Sequence, residues 1–221
     1  MKLLALDTSG KTASVAFLRD DVTVGEVFFD VERHHSEILL PAIGHLLKGV
    51  GVRIGDLDLF ACTVGPGSFT GVRIGVSTVK GLALANDRPV VGVSTLEALA
   101  VNAAGFPTLV CPLIDAKRGQ VYAGFYRSGA AGSLTRLSPD CLLAAEEIPN
   151  RIEGDAVFVG SGAGVYQELI CARPQGRSLF APPHLHRISA AAAGIVARRK
   201  AEAGDLLPAV QLAPVYLRRE L

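Results

Sequence analysis

Tryptophan is absent from this 221-residue chain, methionine occurs once, and none of the four cysteines forms a C-x-x-C pair. Cys62 and Cys111 fall inside apolar segments, which predicts reduced core side chains. The uncharged runs 59–72 and 98–114 are interrupted by glycine, proline or asparagine, so neither predicts a membrane span. The first seven residues reach an acidic residue too soon for a signal peptide. We therefore expect a cytoplasmic protein without a membrane partner.

A large excess of charge is also missing, because the formal net charge is only +1. Proteins that bind nucleic acid unaided usually carry a strongly basic surface, so tight independent binding of RNA or DNA is not expected. Two small basic clusters, at 198–200 and 218–219, fit a solvated surface. They could still add a few phosphate contacts within a larger assembly.

The most specific feature present is a glycine-rich loop at residues 65–75, GPGSFTGVRIG, between a predicted strand and a predicted helix. No lysine follows Gly71 as in a P-loop, and the glycine spacing differs from that of a dinucleotide-binding loop. Ser68 does not stand at the centre of the G-x-S-x-G pattern of hydrolases. We predict that Ser68 and Thr70 cap the following helix. A nucleophilic Ser68 is the alternative.

Two predicted hairpins resemble each other. The strands that end at Asp7 and Asp115 are each followed by a glycine-containing turn and a second apolar strand. Phe17 and Phe125 lie equally far beyond the two aspartates. Short turns between apolar runs are typical of hairpins, so the pattern predicts two related units, at 1–105 and 106–221. Coincidence is the alternative explanation.

The order of the predicted elements indicates an α/β protein with mixed sheets and helices on their faces. In the first unit we predict strands at 3–7, 12–18, 22–31, 58–64 and 89–93, and helices at 36–50 and 72–85. In the second we predict strands at 111–115, 120–126, 134–142 and 156–160 and a helix after Gly164. An alanine-rich helix at 189–203 could pack on either unit.

A duplicated unit with Asp7-Thr8-Ser9 at the end of its first strand resembles the ribonuclease-H-like fold of actin, Hsp70 and hexokinase. Within that fold, essentially the whole chain resembles the TsaB (YeaZ) family. The motifs that carry this resemblance are the loop at 65–75, the segment 35–41, the hairpin at 115–122 and the closing residues 214–218.

The resemblance implies a non-catalytic subunit of the bacterial machinery that makes threonylcarbamoyladenosine beside the tRNA anticodon. It implies two partners, the catalytic transferase TsaD and the small ATPase TsaE. It also implies a homodimer when the chain is alone, and contact with tRNA only through the complex.

The metal site of the TsaD paralogue has no counterpart in this sequence. The His-x-Glu-x-His set of TsaD is matched here by Thr95, Glu97 and Leu99. Threonine and leucine cannot replace two imidazole ligands, so we predict neither a metal site nor a catalytic residue. The five histidines, at 34, 35, 45, 184 and 186, are expected on the surface or as caps.

ATPases of this fold cradle phosphates in both hairpin turns, through backbone N–H groups. The small first turn could still do so, whereas the bulky second turn leaves less room. The candidate positions of this vestigial phosphate site are Asp7, Thr8, Ser9, Asp115, Lys117 and Arg118. We expect no cofactor of the chain alone, with ATP or ADP only at an interface with partner subunits. The turn at 159–164 could hold adenosine or be a simple tight turn.

The predicted helix at 36–50 carries a wider apolar band than packing on one sheet requires. The next helix carries small residues that would let a partner helix approach. Core packing explains both features as well as a subunit contact does. We predict that the two helices form a homodimer interface and a pseudo-symmetric interface with TsaD. The candidate contact residues are Leu39, Ile43, Leu46, Leu47, Val72, Arg73 and Val76.

An enzyme of the same fold is the alternative function. It would be an ATP-binding transferase that uses Asp7, or a hydrolase that uses Ser68, and it would act without TsaD.

Overall fold

The computed structural model describes residues 1–30 and 35–218, which separate into two compact units. The first unit consists of residues 1–98 together with 188–215, and the second of residues 99–187 with 216–218. The predicted boundary at 105 therefore lies seven residues too late, and the segment 188–215 belongs to the first unit rather than the second. Val31, His34 and Arg219, which entered the sequence predictions, lie outside the described residues.

The strands and helices have the following bounds. The strands are β1 (Lys2–Asp7), β2 (Thr12–Arg19), β3 (Val22–Asp30), β4 (Leu59–Gly65), β5 (Val90–Ser94), β6 (Leu109–Lys117), β7 (Gln120–Ala123), β8 (Tyr126–Ser128), β9 (Leu134–Arg136), β10 (Cys141–Ala144), β11 (Ala156–Val159) and β12 (Ser178–Phe180). The helices are α1 (His35–Gly49), α2 (Phe69–Ala85), α3 (Thr95–Val101), α4 (Ser161–Val165), α5 (Gln167–Cys171) and α6 (Ala190–Glu202).

The first unit contains a mixed sheet in the order β3-β2-β1-β4-β5, in which β1 pairs antiparallel with β2 and parallel with β4. Strands β1, β2 and β4 are almost wholly buried, because helices cover both faces of the sheet. One face packs against α1 and α2, whose apolar side chains join Leu4, Leu6 and Phe60 in one core cluster. Continuous apolar strands of this kind are typical of sheets that are covered on both sides.

Helix α6 covers the other face of the first sheet, which settles where the alanine-rich helix packs. A Cβ atom at Gly194 would lie 2.5 Å from Leu18 Cδ1 and 3.3 Å from Ala5 Cβ, so the helix backbone lies directly on the strands. The Ser189 hydroxyl accepts a hydrogen bond from the Ala192 amide at 3.1 Å and caps the helix.

The second unit repeats the strand order of the first, as β10-β7-β6-β11-β12. The pairings also correspond, since β6 is antiparallel to β7 and parallel to β11. This correspondence confirms the predicted duplication of an α/β unit. The single strand predicted at 134–142 is two strands, β9 and β10, and β9 pairs only with β8.

The ends of two helices differ from the sequence prediction. Helix α1 spans His35–Gly49 in the described residues, whereas residues 36–50 were predicted. Helix α2 begins at Phe69, three residues earlier than predicted, with Ser68 as its N-cap. In the described part of the chain, no helix is long and apolar enough to cross a bilayer.

Candidate functional site

The glycine loop connects β4 to α2, and its serine has a structural role. The Ser68 hydroxyl accepts a hydrogen bond from the Gly71 amide at 3.2 Å, which confirms the predicted cap for Ser68. The prediction for Thr70 is wrong, because Thr70 lies inside the helix. The Ser68 amide donates to the carbonyl oxygen of Ser9 at 2.7 Å. Ser68 therefore fixes the start of α2 against the turn between β1 and β2, and the structure gives no support to a nucleophilic role for its hydroxyl.

The glycines of the loop are needed because two backbone segments touch here. A Cβ atom would lie 2.4 Å from Ser9 O at Gly67 and 2.0 Å from Thr8 O at Gly71. One turn further along α2, a Cβ at Gly75 would lie 2.5 Å from Thr8 Oγ1. Real Cβ contacts are not this short, so these three positions accept no larger side chain without moving the loop or the turn.

The first hairpin turn is consequently not open to a phosphate. Asp7, Thr8 and Ser9 are all at least 98% buried. The Thr8 hydroxyl donates to Gly71 O at 2.7 Å, and the Ser9 amide donates to Asp7 Oδ1 at 3.2 Å. The prediction that these three residues form an accessible phosphate site is therefore wrong, because the glycine loop covers the turn and buries all three.

Asp7 is a buried carboxyl group whose oxygens are unequally satisfied. Oδ1 accepts from the hydroxyls of Ser9 at 2.5 Å and Thr63 at 2.6 Å, whereas Oδ2 has no hydrogen-bond partner among the described residues. Burial raises the pKa of Asp7, and the hydrogen bonds from Ser9 and Thr63 and the charge of His35 oppose that shift only in part. The folded state therefore holds the proton of Asp7 more tightly than the unfolded state does.

The second hairpin turn, between β6 and β7, has a different construction. Lys117, Arg118 and Gly119 have φ angles of +63°, +56° and +71°. Asp115 accepts hydrogen bonds from the Lys117 amide at 2.9 Å and from Lys117 Nζ at 2.6 Å. Burial would raise the pKa of Asp115, but the hydrogen bonds from Lys117 outweigh it and hold the pKa below its ordinary value.

For this second turn, the prediction that Asp115, Lys117 and Arg118 belong to a vestigial phosphate site stays a prediction. The Lys117 amide is already bonded to Asp115, and the side chains of Lys117 and Arg118 are exposed. Further along, Gly160 has a φ of +105°, and a Cβ there would lie 2.3 Å from Leu113 O. The turn at 159–164 is thus explained by its close approach to β6.

Most of the predicted interface residues lie in the core. Six of them are at least 94% buried and belong to one cluster with the first sheet: Leu39, Ile43, Leu46, Leu47, Val72 and Val76. The prediction that they meet a partner is wrong for these six, because the wide apolar band of α1 packs on β2, β3 and α2 at once. Arg73 is the exception, since it is exposed and its guanidinium lies 3.7 Å from the centre of the Phe69 ring.

A different face of α1 and α2 is exposed, and we call it the α1–α2 face. Its members are Leu40, Pro41, Gly44 and His45 on α1, and Phe69, Arg73, Ser77, Gly81 and Leu84 on α2. The α2 residues recur at intervals of four, four, four and three, which places them on one side of a helix. The sequence prediction missed Phe69 because it placed the start of the helix at Val72. The four-residue spacing from Phe69 to Arg73 and Ser77 was the signal that could have identified it.

Two of the three positions that the resemblance matches to the TsaD metal ligands, Thr95 and Leu99, carry no imidazole. Thr95 and Leu99 are both fully buried. The Glu97 amide donates to the Ser94 hydroxyl at 3.3 Å, at the start of α3. Within residues 1–30 and 35–218, no three His, Cys, Asp or Glu side chains form a group that could hold a metal ion.

The chain is similar to known proteins in both sequence and structure. The family model described as "TsaD: tRNA N6-adenosine threonylcarbamoyltransferase" matches residues 29–204. The tRNA threonylcarbamoyladenosine biosynthesis protein TsaB of Bacillus subtilis (strain 168) is 38% identical over 173 residues, which cover 77% of this chain and 75% of that protein.

Solved structures agree with this sequence similarity. YeaZ from Pseudomonas aeruginosa superposes with a TM-score of 0.83 at 32% identity and covers 97% of this chain and 100% of that one. The ROK hexokinase from Thermus thermophilus has a TM-score of 0.55 at 14% identity and covers 92% of this chain and 100% of that one. At that identity the hexokinase supports the fold alone, and it confirms the predicted hexokinase-type architecture.

The contact between the glycine loop and the first turn can be tested with two glycine substitutions in α2. Gly71→Ala should lower the free energy of unfolding by about 2–3 kcal/mol, because the added methyl group meets the Thr8 carbonyl oxygen. Gly81→Ala is the matched control, since nothing lies within 4 Å of its added Cβ. It should raise the free energy of unfolding by about 0.5–1 kcal/mol. Urea denaturation measures the free energy of unfolding of both variants. Equal changes in the two variants would contradict the proposed contact.

The buried Asp7 predicts a pH-dependent stability. A raised folded-state pKa means that the wild type loses stability as the pH rises from about 4 through that folded-state pKa, and then levels off. Asp7→Asn cannot titrate, so the free energy of unfolding of the variant minus that of the wild type should grow with pH over this range. Urea denaturation at several pH values from 4 to 8 measures this difference. A difference that is constant with pH would show that Asp7 is not perturbed.

Proposed function

This chain belongs to the TsaB family, and from that premise we propose that it is a non-catalytic subunit in tRNA threonylcarbamoyladenosine biosynthesis. The role in this pathway rests on the names of its relatives and on the match to the transferase family model. The finer proposal is that the chain binds a TsaD transferase, positions or activates it, and helps to form the surface on which TsaE docks. When alone, the chain forms a homodimer through the same surface.

The observation that carries the proposal is the α1–α2 face. Ser77 and Gly81 are small enough for the backbone of a partner helix to approach α2 closely. Phe69 is a large exposed side chain at the start of the same helix, and the guanidinium of Arg73 lies over its ring. Aromatic and arginine side chains are the residues that most often dominate binding energy at protein interfaces. Leu40 is a further exposed apolar side chain, on α1.

The similarity to TsaD favours a partner of the same fold. The transferase family model matches residues 29–204, a range that includes both α1 and α2. A related transferase would carry two equivalent helices, so the contact between the two proteins would be pseudo-symmetric. A homodimer of this chain would use the same face on both copies. The two assemblies would therefore compete for one surface.

Several observations support the non-catalytic role. The first hairpin turn is covered by the glycine loop, and Asp7 is buried beneath it. Thr95 and Leu99 occupy the places of the two TsaD histidines. We propose that the chain has no cofactor of its own, and that ATP or ADP binds only at an interface with partner subunits.

The assignment of the interface can be tested with a charge placed on the exposed face. Leu40→Glu should weaken capture of a purified TsaD transferase at least tenfold, because an unpaired carboxylate would be desolvated in the contact. Leu40 is 55% exposed, so this variant should fold normally. Val22→Glu is the matched control, since Val22 is 62% exposed on β3, outside the α1–α2 face. Analytical ultracentrifugation of each variant with TsaD measures the affinity.

Ile43→Glu gives the contrasting result. Ile43 is only 3% exposed, so its substitution should lower the melting temperature of the isolated chain, whereas Leu40→Glu should not. If Leu40→Glu binds TsaD as well as Val22→Glu does, the α1–α2 face is not the interface. If the wild type captures no TsaD at all, the proposed function fails.

Nucleotide binding gives a separate test. Calorimetric titration of Mg·ATP into the isolated chain should give no saturable heat, because the amide of Ser9 is bonded to Asp7 and the turn is covered. Micromolar affinity together with turnover of ATP in the isolated chain would support the alternative, an independent ATP-binding transferase or hydrolase.

A further inference from the structure

The turn between β6 and β7 carries positive charge away from the body of the second unit. Arg118 is exposed, and within residues 1–30 and 35–218 it makes neither an ion pair nor a hydrogen bond. Its left-handed conformation, shared with Lys117 and Gly119, fixes the tip of the hairpin. An exposed arginine without a partner among the described residues is available to an external anion.

A second arginine lies at the same turn. The Arg218 guanidinium donates to the Ala116 carbonyl oxygen at 2.9 Å and to Gln120 Oε1 at 2.7 Å. These two acceptors flank the tip, and both are neutral. The hydrogen bonds therefore position the charge of Arg218 beside the turn without neutralising it.

The carboxylates around the turn do not cancel this charge. Asp115 is paired with Lys117, whose Nζ lies 2.6 Å from Asp115 Oδ2. Glu146 is the second carboxylate near the turn. Burial and the charge of Asp115 raise the pKa of Tyr166, and the charge of Glu146 adds to this shift. The preceding residue, Ala145, donates its amide to Gly119 O at 2.8 Å. Three cations thus face two carboxylates.

We propose that this basic turn, formed by Lys117, Arg118 and Arg218, binds phosphates of an RNA backbone. The inference rests on the proposed function, which supplies tRNA as the RNA. Guanidinium groups suit phosphate because they present several N–H donors in one plane. The net charge of +1 argues against strong binding by the chain alone, so the turn would add its contacts to those of partner subunits.

An exposed hairpin tip suits a polymer better than a free anion. A small phosphate ion needs donors that converge on it, whereas the cations here lie along a turn and its flank. An acidic protein surface is the competing ligand, and a salt titration and a protein-capture assay distinguish it from RNA.

The test compares two arginines of the second unit. Arg118→Gln removes a cation from the basic turn. Arg127→Gln is the matched control, because Arg127 is also exposed and also lacks a partner among the described residues. Arg127 pairs with Leu109 at the opposite end of β6, about 26 Å from Lys117 by strand length. Both variants change the net charge equally.

The assay is fluorescence anisotropy of labelled tRNA with the full chain in complex with TsaD, at several salt concentrations. Arg118→Gln should weaken binding about three- to tenfold at low salt and reduce the slope of log K against log [salt] by about 0.7–0.9. Arg127→Gln should stay within twofold of the wild type. Glu146→Gln should shift the affinity in the opposite direction, because it removes a nearby negative charge.

Capture of TsaD is measured in parallel by ultracentrifugation. Unchanged capture with weaker tRNA binding by Arg118→Gln supports the proposal. Equal losses from Arg118→Gln and Arg127→Gln would overturn it, as would unchanged tRNA binding or a loss of TsaD capture by Arg118→Gln. If the wild type captures no TsaD, the proposed function fails; the same comparison on the chain alone then supports or overturns RNA binding independently.

Discussion

The close contact between the glycine loop and the first hairpin turn is the constraint on which the first unit depends. The backbone of α2 approaches Thr8 so closely that a Cβ at Gly71 would lie 2.0 Å from its carbonyl oxygen. Hydrogen bonds from the Ser68 amide to Ser9 O and from the Thr8 hydroxyl to Gly71 O secure it. One contact thus closes the turn to a phosphate and fixes the direction of α2. That direction turns Val72 and Val76 toward the sheet and leaves Phe69 and Arg73 exposed.

The division of the helix surfaces determines what a partner can use. The core of the first unit contains the large apolar side chains of α1 and α2, including Leu39 and Val76. Few large apolar side chains therefore remain on the α1–α2 face. The binding energy of a contact on this face would come mainly from a few side chains, such as Leu40 and the Phe69–Arg73 pair. The small residues of α2 would allow a partner helix to approach closely. Such an interface can be specific in shape without exposing a large apolar patch on the free chain.

Much of the fold could be predicted from the sequence, because the signals were local. Apolar runs gave the strands, the glycine loop marked the start of α2, and Ser68 was correctly predicted to cap it. Periodicity could not identify the exposed face, because the large apolar residues that form the band of α1, such as Leu39, Ile43 and Leu47, are buried in the core. The small-residue helix α6 carries no pattern that selects one sheet over the other. The covered first turn was equally hidden, since residue types near Asp7 do not reveal which segment lies over them.

The two hairpin turns have corresponding positions in the two units but different structural roles. In the first turn, the small residues Thr8 and Ser9 admit the backbone of the glycine loop, and their polar groups are bonded inside the chain. In the second, Lys117 and Arg118 have left-handed backbone conformations, and their side chains are exposed. The Ser9 amide in the first turn is bonded to Asp7, and the Lys117 amide in the second is bonded to Asp115. Side-chain size at two positions in each turn therefore accounts for the different roles of the two hairpins. The first turn packs against the glycine loop, and the second exposes charged side chains.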